Sequence, residues 1–410
     1  MARFKKRAGE VHSGAEAVAE HQTTIFDRWD NLTKRADNFV ATRAEAQSPV
    51  QPAVKLFCII LAMMAMGLVL QASHAATVYS DPLEFRKEIF KQASFRVIAL
   101  CVLLVSYRFG PNRLRALLPF AVVASALMLI ACWIPGIAAP KNGSHRWIHI
   151  PGTEMTLQAS ELARVFVVLW VADRCTRLGS RLGDLKYGVT PILGMCAVFF
   201  VLIGAETDLG GALVFLAVFL STWIVGGASK KHSMSLAALG GAGFFVGISS
   251  VDYIRKRMDV FFGNSQNDQV SSSIEALGSG QILGNGLGQG QWRTSGMPYQ
   301  DSDYIFALVG EELGFVGMAL CISLILAFLW FSLRLVITIR DRYCALAAFG
   351  LLLSVGLQAM LHMQVVTGLA PPKGITLPFI SDGGTSLVVS SLAVGLALGA
   401  ARLSQSTRSL

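Results

Sequence analysis

The sequence predicts an all-α polytopic membrane protein with about ten transmembrane helices. Hydrophobic residues make up 53% of the 410 positions and charged residues only 15%, and the mean hydropathy is +0.54. Apolar runs also recur along the chain, most of them close to the roughly 20 residues that cross a hydrocarbon core of about 30 Å. These values exclude an average soluble domain.

The apolar runs follow a mostly polar N-terminal stretch. The predicted spans are Val54–Ser73, Ala93–Tyr107, Ala116–Pro135, Ser160–Asp173, Val189–Gly204, Gly210–Gly226, Met234–Tyr253, Ile305–Phe331, Ala345–Val366 and Ser386–Ala401. We therefore divide the chain into an N-terminal tail (1–52), a membrane domain (53–403) and a C-terminal tail (404–410). No cleaved signal peptide is expected, because no short apolar run with a small-residue cleavage site lies near Met1.

The basic residues predict the orientation of these spans. Lys and Arg cluster in short loops at 108–115, 174–186, 230–231 and 334–342, while the intervening loops are mixed in sign. Because cytoplasmic loops are enriched in Lys and Arg, both termini are predicted to be cytoplasmic. The large loop between helices 7 and 8, residues 254–303, is then extracytoplasmic. Orientation explains the net charge of +9 better than nucleic-acid binding does.

Polar side chains concentrate in the predicted outer segments. The candidates are the carboxylates Glu161, Asp208 and Asp303, the cations Arg146, Arg164, Arg255, Arg257 and Lys373, and the hydroxyls Ser381, Thr385 and Ser386. Cations near a lipid interface suit an anionic headgroup such as a phosphate. A carboxylate among them could act as general base for a hydroxyl nucleophile. Asp303 is the lead candidate, since a carboxylate at the mouth of a membrane helix is costly unless a polar cavity receives it.

Each candidate also has a structural interpretation. Glu161, Arg164 and Asp208 could pair with one another inside the bundle, and Glu311 and Glu312 are predicted to be structural. Composition and spacing therefore leave an enzyme and a transporter both open.

Two segments rich in Gly and Pro indicate irregular backbone. The glycines within 278–290 predict tight turns and small packing faces. Those of 368–384, with three prolines, predict a broken re-entrant segment, which is tolerated at membrane depth only where protein or water lines it. The second segment therefore favours a cavity.

Metal binding has limited support in the sequence. The His residues show no ligand spacing with acidic partners. Asp301 and Asp303 could hold Mg²⁺ or Mn²⁺ together with a substrate pyrophosphate, since Mg²⁺ often uses one or two carboxylates plus phosphate oxygens. No organic cofactor is expected.

Six motifs follow one another along the chain: NGSHRWI from Asn142, QASELAR from Gln158, TDLGGALV from Thr207, ALGSGQILGNGLGQG from Ala276, DSDYIFALVGEELGFVG from Asp301 and GLAPPKGITLPFISDGGTSL from Gly368. In this order they resemble the SEDS family (shape, elongation, division and sporulation) of cell-wall glycosyltransferases. The resemblance spans roughly 54–403, nearly the whole membrane domain.

The resemblance implies a ten-helix fold and assigns roles to individual residues. It makes Asp303 the catalytic residue and places Arg146, Glu161, Arg164 and Asp208 in a substrate cavity. Lys373 and Ser386, in the last motif, are further predicted substrate-binding residues.

The implied activity is polymerisation of lipid II into β-1,4 glycan strands with release of undecaprenyl pyrophosphate. The implied partners are lipid II, a class B penicillin-binding transpeptidase, other division proteins and membrane lipid, with no nucleic acid. The implied location is the bacterial inner membrane, with the active site on the extracytoplasmic face. A lipid II flippase and a non-enzymatic division scaffold are the alternatives.

The sequence also departs from the family pattern. Arg164 stands where Lys is usual, Glu206 where Gln is common, Ser272 at a usual Gln position and Asp382 where Tyr is usual. Asp382 adds a negative charge beside the expected cavity. Lys373, in PPKG, is more similar to the division branch, FtsW, than to the elongation branch, RodA.

Overall fold

Helix dominates the chain in the computed structural model, which describes residues 50–139, 145–149, 156–206, 208–228, 232, 234, 238, 241, 252–262, 268–290 and 302–406. Helices satisfy their backbone groups internally, which a chain in lipid requires. The predicted N-terminal tail, 1–52, lies almost entirely outside the described residues. So does most of the predicted span Met234–Tyr253.

The elements follow the chain in this order. The first half contains α1 (Val50–Val78), α2 (Pro82–Leu114), α3 (Leu118–Ala131), β1 (Trp147–His149), β2 (Thr156–Gln158), α4 (Ala159–Leu178), α5 (Thr190–Ala205) and α6 (Leu209–Val225). The second half contains α7 (Asp252–Phe261), α8 (Asp268–Ser279), α9 (Ile305–Val336), α10 (Arg342–Val366) and α11 (Gly384–Ser406). A 3₁₀ turn (Gly179–Gly183) and a π turn (Leu185–Val189) join α4 to α5.

Among the described residues, six helices are long and apolar enough to cross a membrane. They are α1, α2, α5 with the turn before it, α9, α10 and α11, while α3 and α6 are shorter apolar helices. The chain is therefore a multi-pass membrane protein. The total of ten spans stays a prediction. α11 continues to Ser406, three residues past the predicted end of the membrane domain.

The all-α prediction needs correction at residues 147–149 and 156–158, where β1 and β2 pair as antiparallel strands, here called the hairpin. Trp147 lies opposite Gln158 and His149 opposite Thr156. Strands of three residues are too short to show an alternating pattern in the sequence. The hairpin brings Arg146 next to the start of α4, whose Ala159 N–H donates to the Arg146 carbonyl at 3.4 Å.

Two predicted loops contain helix. The segment 254–303 includes α7 and α8, which mix polar and apolar residues and so lie outside the apolar runs. α2 begins at Pro82 rather than Ala93, because Asp81 caps it: its Oδ1 accepts from the Leu83 N–H at 2.9 Å. The longer α2 carries Lys91 to the cavity described below.

Small residues allow α11 to pack closely against α2. A Cβ added at Gly395 would lie 2.0 Å from Ser106 Oγ, and one at Gly399 would lie 2.7 Å from the Tyr107 carbonyl oxygen. α4, α10 and α11 are largely buried, whereas α3 exposes much of its apolar surface. The first three therefore form the centre of the bundle.

α9 is broken at Gly314, whose φ of 64° and ψ of −159° are not helical. The glycine-rich segment 280–290 lies in the break and replaces the missing helical hydrogen bonds. The bonds run from Phe315 N to Gln281 O (2.9 Å), Val316 N to Ile282 O (3.2 Å), Asn285 N to Glu311 O (2.9 Å) and Gly286 N to Glu312 O (3.1 Å). The backbone groups freed by the break are thereby satisfied.

Gly314→Ala tests this arrangement. An added Cβ would lie 2.3 Å from Gly284 N and 2.6 Å from Ile282 O, on a backbone with positive φ. We expect the free energy of unfolding to fall by at least about 1–3 kcal/mol, the usual cost of such backbone strain. Thermal unfolding of the detergent-solubilised protein measures the change.

The matched control is Gly194→Ala in α5, where no atom lies within 4 Å of an added Cβ. Alanine is the better helix former, so this variant should keep or slightly raise the unfolding temperature. Equal unfolding temperatures for the two variants would contradict the proposed role of Gly314.

Candidate active site

A cavity of about 660 Å³ lies among the hairpin, α2, α4, α6, α10 and the segment that leads into α11. Charges of both signs line it: Lys91, Arg146, Glu161, Arg164, Asp208, Asp303 and Asp382. A cavity of this size falls in the range of small-ligand sites, and its mixed charge suits a ligand with both anionic and hydroxyl groups.

The cavity brings together six of the seven residues predicted for catalysis and substrate binding. Asp303, Arg146, Glu161, Arg164, Asp208 and Ser386 all line it. Lys373 is not among the lining residues, and its Nζ lies 3.1 Å from Asp208 Oδ1. Arg255 is exposed, and Arg257 donates to the Pro372 carbonyl. Asp301 lies outside the described residues.

Asp208 accepts three hydrogen bonds from the described residues. It caps α6, with Oδ1 accepting from the Gly211 N–H at 3.0 Å. Its Oδ2 accepts from Ser160 Oγ at 3.1 Å and from Gln158 Nε2 at 3.2 Å. Lys373 Nζ lies 3.1 Å from Oδ1, and Arg146 Nη1 lies 3.8 Å from the same oxygen. Asp208 therefore ties the hairpin, α4, α6 and the segment before α11 to one point.

Opposing effects determine the ionisation states of Asp208 and Lys373. Burial acts to raise the pKa of Asp208, but Lys373 and Arg146 outweigh it and hold that pKa well below its usual range. Burial lowers the pKa of Lys373 to about 8 despite the attraction of Asp208. At neutral pH both groups are charged.

Glu206 lies beside this pair and behaves differently. Its side chain is fully buried, and burial together with the charge of Asp208 raises the pKa of Glu206 to about 9. The carboxyl is therefore protonated at neutral pH. In that form it offers one donor and one acceptor, as a Gln side chain does. The departure from the usual Gln is therefore chemically small.

A second polar cluster joins α4, α10 and α11. Glu161 Oε1 accepts from Ser386 Oγ at 2.8 Å and from Gln358 Nε2 at 3.3 Å. Arg164 Nη2 donates to Gln358 Oε1 at 2.6 Å. Within the described part of the chain, Glu161 Oε2 and Arg164 Nε have no hydrogen-bond partner. Two buried atoms of the cluster, one acceptor and one donor, are thus unused by the described residues.

Asp303 lies just before α9, on the cavity wall next to the segment that precedes α11. A Cβ added at Gly374 would lie 2.5 Å from Asp303 Oδ2, so the carboxylate lies directly against that glycine. The Ser302 carbonyl accepts from Ser381 Oγ at 2.7 Å. Burial and the nearby Asp303 raise the pKa of Tyr304 to about 12, so its phenol stays protonated at neutral pH.

The composition of the motifs did not identify every lining residue. Lys91, Gln358 and Thr376 line the cavity but were absent from the prediction. Gln358 had a detectable signal, because it is polar within the long apolar run of α10. Lys91 had none, since it falls in a charged stretch that is typical of a loop.

The described residues do not include a complete ligand set for the predicted metal site. No group of three or more His, Cys, Asp or Glu side chains in those ranges is close enough to hold a metal ion. Asp303 is placed on the cavity, but its predicted co-ligand Asp301 is not described. Binding of Mg²⁺ or Mn²⁺ stays a prediction.

The fold and the cavity define a multi-pass membrane protein with a buried acid–base site. The chain belongs to the FtsW/RodA/SpoVE family of cell cycle proteins, whose family model matches residues 53–406.

Curated relatives span most of the chain. A probable peptidoglycan glycosyltransferase FtsW from Geobacter sp. (strain M18) is 34% identical over 66% of this chain and 75% of its own length. Stage V sporulation protein E of Bacillus subtilis is 30% identical over 86% of this chain and 98% of its own length.

Solved structures share the fold. One from a peptidoglycan synthase complex, described as coordinating polymerization and crosslinking, superposes with a TM-score of 0.68 at 22% identity, covering 85% of this chain and 96% of that one. The rod shape determining protein RodA of Thermus thermophilus gives a TM-score of 0.58 at 21% identity, covering 85% and 95%.

Asp208→Asn should destabilise the protein. It leaves the buried Lys373 ammonium without its counter-charge, and breaking a buried ion pair from one side typically costs about 3–5 kcal/mol. Asp208→Asn with Lys373→Met removes both charges and should recover part of the loss. Thermal unfolding of both variants measures this, and no recovery in the double variant would show that Lys373 is not the main partner.

Glu206 should make stability depend on pH. In the unfolded chain the carboxyl loses its proton near pH 4.5, whereas the folded protein keeps it until about pH 9. Between these values the folded state binds more protons, so stability should fall as pH rises, by about 1.4 kcal/mol for each pH unit.

Glu206→Gln should remove this slope. The measurement is the difference in unfolding temperature between wild type and variant from pH 5 to pH 7, a window below the pKa of Lys373 of about 8. A difference that stays constant across this window would contradict a protonated Glu206.

Proposed function

We propose that this protein is a peptidoglycan glycosyltransferase that polymerises lipid II into β-1,4 glycan strands and releases undecaprenyl pyrophosphate. Relatives that are named as probable peptidoglycan glycosyltransferases support this activity. The observation that carries it is the single cavity lined by both Asp303 and Arg146. The FtsW names of those relatives support a role in septal wall synthesis during cell division.

In the proposed reaction Asp303 is the general base. It takes the proton from the 4-hydroxyl of the acceptor GlcNAc as that oxygen attacks the anomeric carbon of the donor MurNAc. The new carbon–oxygen bond forms as the bond to the pyrophosphate oxygen breaks, and the pyrophosphate leaves with the electron pair. Direct displacement inverts the α-linked donor to a β-1,4 product, and one carboxylate suffices as base.

A pyrophosphate leaving group needs charge neutralisation more than protonation. Arg146 lines the cavity and offers a planar guanidinium that can bind two phosphate oxygens. Lys373 contributes through Asp208: its ammonium offsets that carboxylate, so that Arg146 keeps its positive charge for the ligand. The region around these three groups, with Glu206 protonated, carries one net positive charge.

The Glu161 cluster is assigned to substrate binding. Glu161 and Arg164 line the same cavity as Asp303. Their Oε2 and Nε atoms have no hydrogen-bond partner among the described residues and suit hydroxyl, amide and carboxylate groups of a sugar–peptide headgroup. Arg164 replaces the Lys that the family resemblance leads us to expect. Its planar fork allows it to hold Gln358 and still present Nε.

The topology and partners extend this proposal. Ten membrane helices with cytoplasmic termini would place the cavity on the extracytoplasmic face of the inner membrane. The loop that contains α7 and α8 would then connect the seventh and eighth membrane spans. The solved relative from a peptidoglycan synthase complex supports a class B penicillin-binding transpeptidase as partner. Lipid II, membrane lipid and other division proteins complete the proposed partners. No step of the reaction is assigned to a metal.

Asp303→Asn should nearly abolish glycan synthesis. Removing a general base typically costs roughly 10²- to 10⁴-fold in rate, and the amide keeps the size of the side chain. The assay gives fluorescent lipid II to purified full-length protein, with and without its transpeptidase partner, and separates the glycan chains on a gel.

The control is Asp184→Asn, which changes an exposed carboxylate that makes no cap hydrogen bond between α4 and α5. It should polymerise lipid II at the wild-type rate. Full activity of Asp303→Asn would overturn the catalytic assignment. Headgroup translocation in vesicles without polymerisation would instead favour a flippase, and neither activity would favour a division scaffold.

A further inference from the structure

The break in α9 is held by side chains as well as by backbone. Ser73 Oγ, near the end of α1, donates to Glu312 Oε2 at 2.7 Å. The Gly288 N–H donates to Ser73 Oγ at 2.8 Å and to Glu312 Oε1 at 3.3 Å. We call Ser73, Glu312 and the glycine-rich segment 281–290, which contains Gly288, the clasp. It joins α1 and the glycine-rich segment to α9 at one buried carboxylate.

The packing around the clasp leaves little freedom. A Cβ added at Gly280 would lie 1.9 Å from the Gly310 carbonyl oxygen, and one at Gly284 would lie 2.1 Å from the Glu312 carbonyl oxygen. The Glu312 side chain is only 1% exposed. A buried carboxylate is costly unless it is hydrogen-bonded, so the clasp has one strongly preferred arrangement.

The clasp lies at one end of the short helical segment Ile305–Leu313. The other end of this segment follows Asp303, where Ser381 holds the Ser302 carbonyl. The break at Gly314 separates the segment from the rest of α9, so the long helix does not fix its direction. Hydrogen bonds therefore hold this buried segment, which follows Asp303, at both of its ends: through Ser381 at its start and through the clasp at its end.

We propose that Ser73 and Glu312 are positioning residues, which hold Asp303 in register with the cavity through the segment Ile305–Leu313. This inference rests on the proposed function, since it assigns the residues a role in the same reaction. Neither residue lines the cavity. Their loss should therefore lower kcat while leaving substrate binding largely intact. A displacement of about 1 Å at a reacting group can cost roughly 10²-fold in rate.

Ser73→Ala and Ser73→Thr separate positioning from general stability. Ser73→Ala removes the donor to Glu312 and the acceptor for Gly288 and should lower kcat for lipid II polymerisation about ten- to hundredfold, with KM changed less than about twofold. Ser73→Thr keeps the hydroxyl and should restore at least half of the wild-type kcat. Glu312→Gln, which weakens the same contacts, should act in the same direction, and its combination with Ser73→Ala should be less than additive.

The matched control is Ser125→Ala, which removes another buried serine hydroxyl, one that donates within α3 to the Ala121 carbonyl. It should leave kcat unchanged. The inference is overturned if Ser73→Ala keeps kcat within twofold of wild type, or if Ala and Thr at this position lower kcat equally. Asp303→Asn is assayed alongside: if it is inactive while Ser73→Ala is fully active, the clasp inference fails and the proposed function stands. If Asp303→Asn is fully active, the catalytic assignment of Asp303 fails. If the wild-type protein does not polymerise lipid II, the proposed function fails.

Discussion

The free-energy cost of burying charged groups determines how the site is built, and the surroundings of Asp208 show how that cost is offset. An isolated carboxylate in this surrounding would be unstable, so it is surrounded by a helix N-terminus, a serine, an amide and the Lys373 ammonium. Each of these partners comes from a different part of the chain. Satisfying one carboxylate therefore fixes the relative positions of the hairpin, α4, α6 and the segment before α11, and hence the shape of the cavity.

The same requirement acts on the backbone around Asp303. A membrane helix cannot leave its carbonyl and amide groups unpaired, so a break in α9 exists only because another segment supplies the missing partners. Residues 281–286 supply them, and glycine at 280 and 284 permits the close approach. The break in turn allows the segment before Gly314 to point in its own direction, which places Asp303 on the cavity wall rather than along the axis of a continuous helix.

Hydropathy and motif spacing predicted the membrane class, most helix positions and seven cavity-lining residues, because long apolar runs and the charged residues next to them can be recognised in a sequence. They did not predict the hairpin or the start of α2, since short strands and capped amphipathic turns give weak periodic signals.

Lys373 was predicted to bind substrate, but the structure places its ammonium against Asp208. Sequence identifies a buried cation, whereas only the arrangement of the chain identifies its partner. Glu161 and Arg164 attract each other electrostatically, as the pairing interpretation expected. The structure adds Gln358 and Ser386 as their hydrogen-bond partners and Lys373 as the ion-pair partner of Asp208.

Two departures from the family pattern, Glu206 and Asp382, introduce carboxyl groups, and the structure shows how the charge of each is avoided or offset. Glu206 is protonated at neutral pH, so it adds no charge where an amide is usual. Asp382 does add one, but it interacts electrostatically with Lys91 and with Arg96, both on α2. Because two cations interact with that carboxylate, its charge need not repel an anionic ligand that Arg146 binds in the same cavity. The proposed pyrophosphate site can therefore tolerate new carboxyl groups, provided that each is neutralised by a proton or by a neighbouring cation.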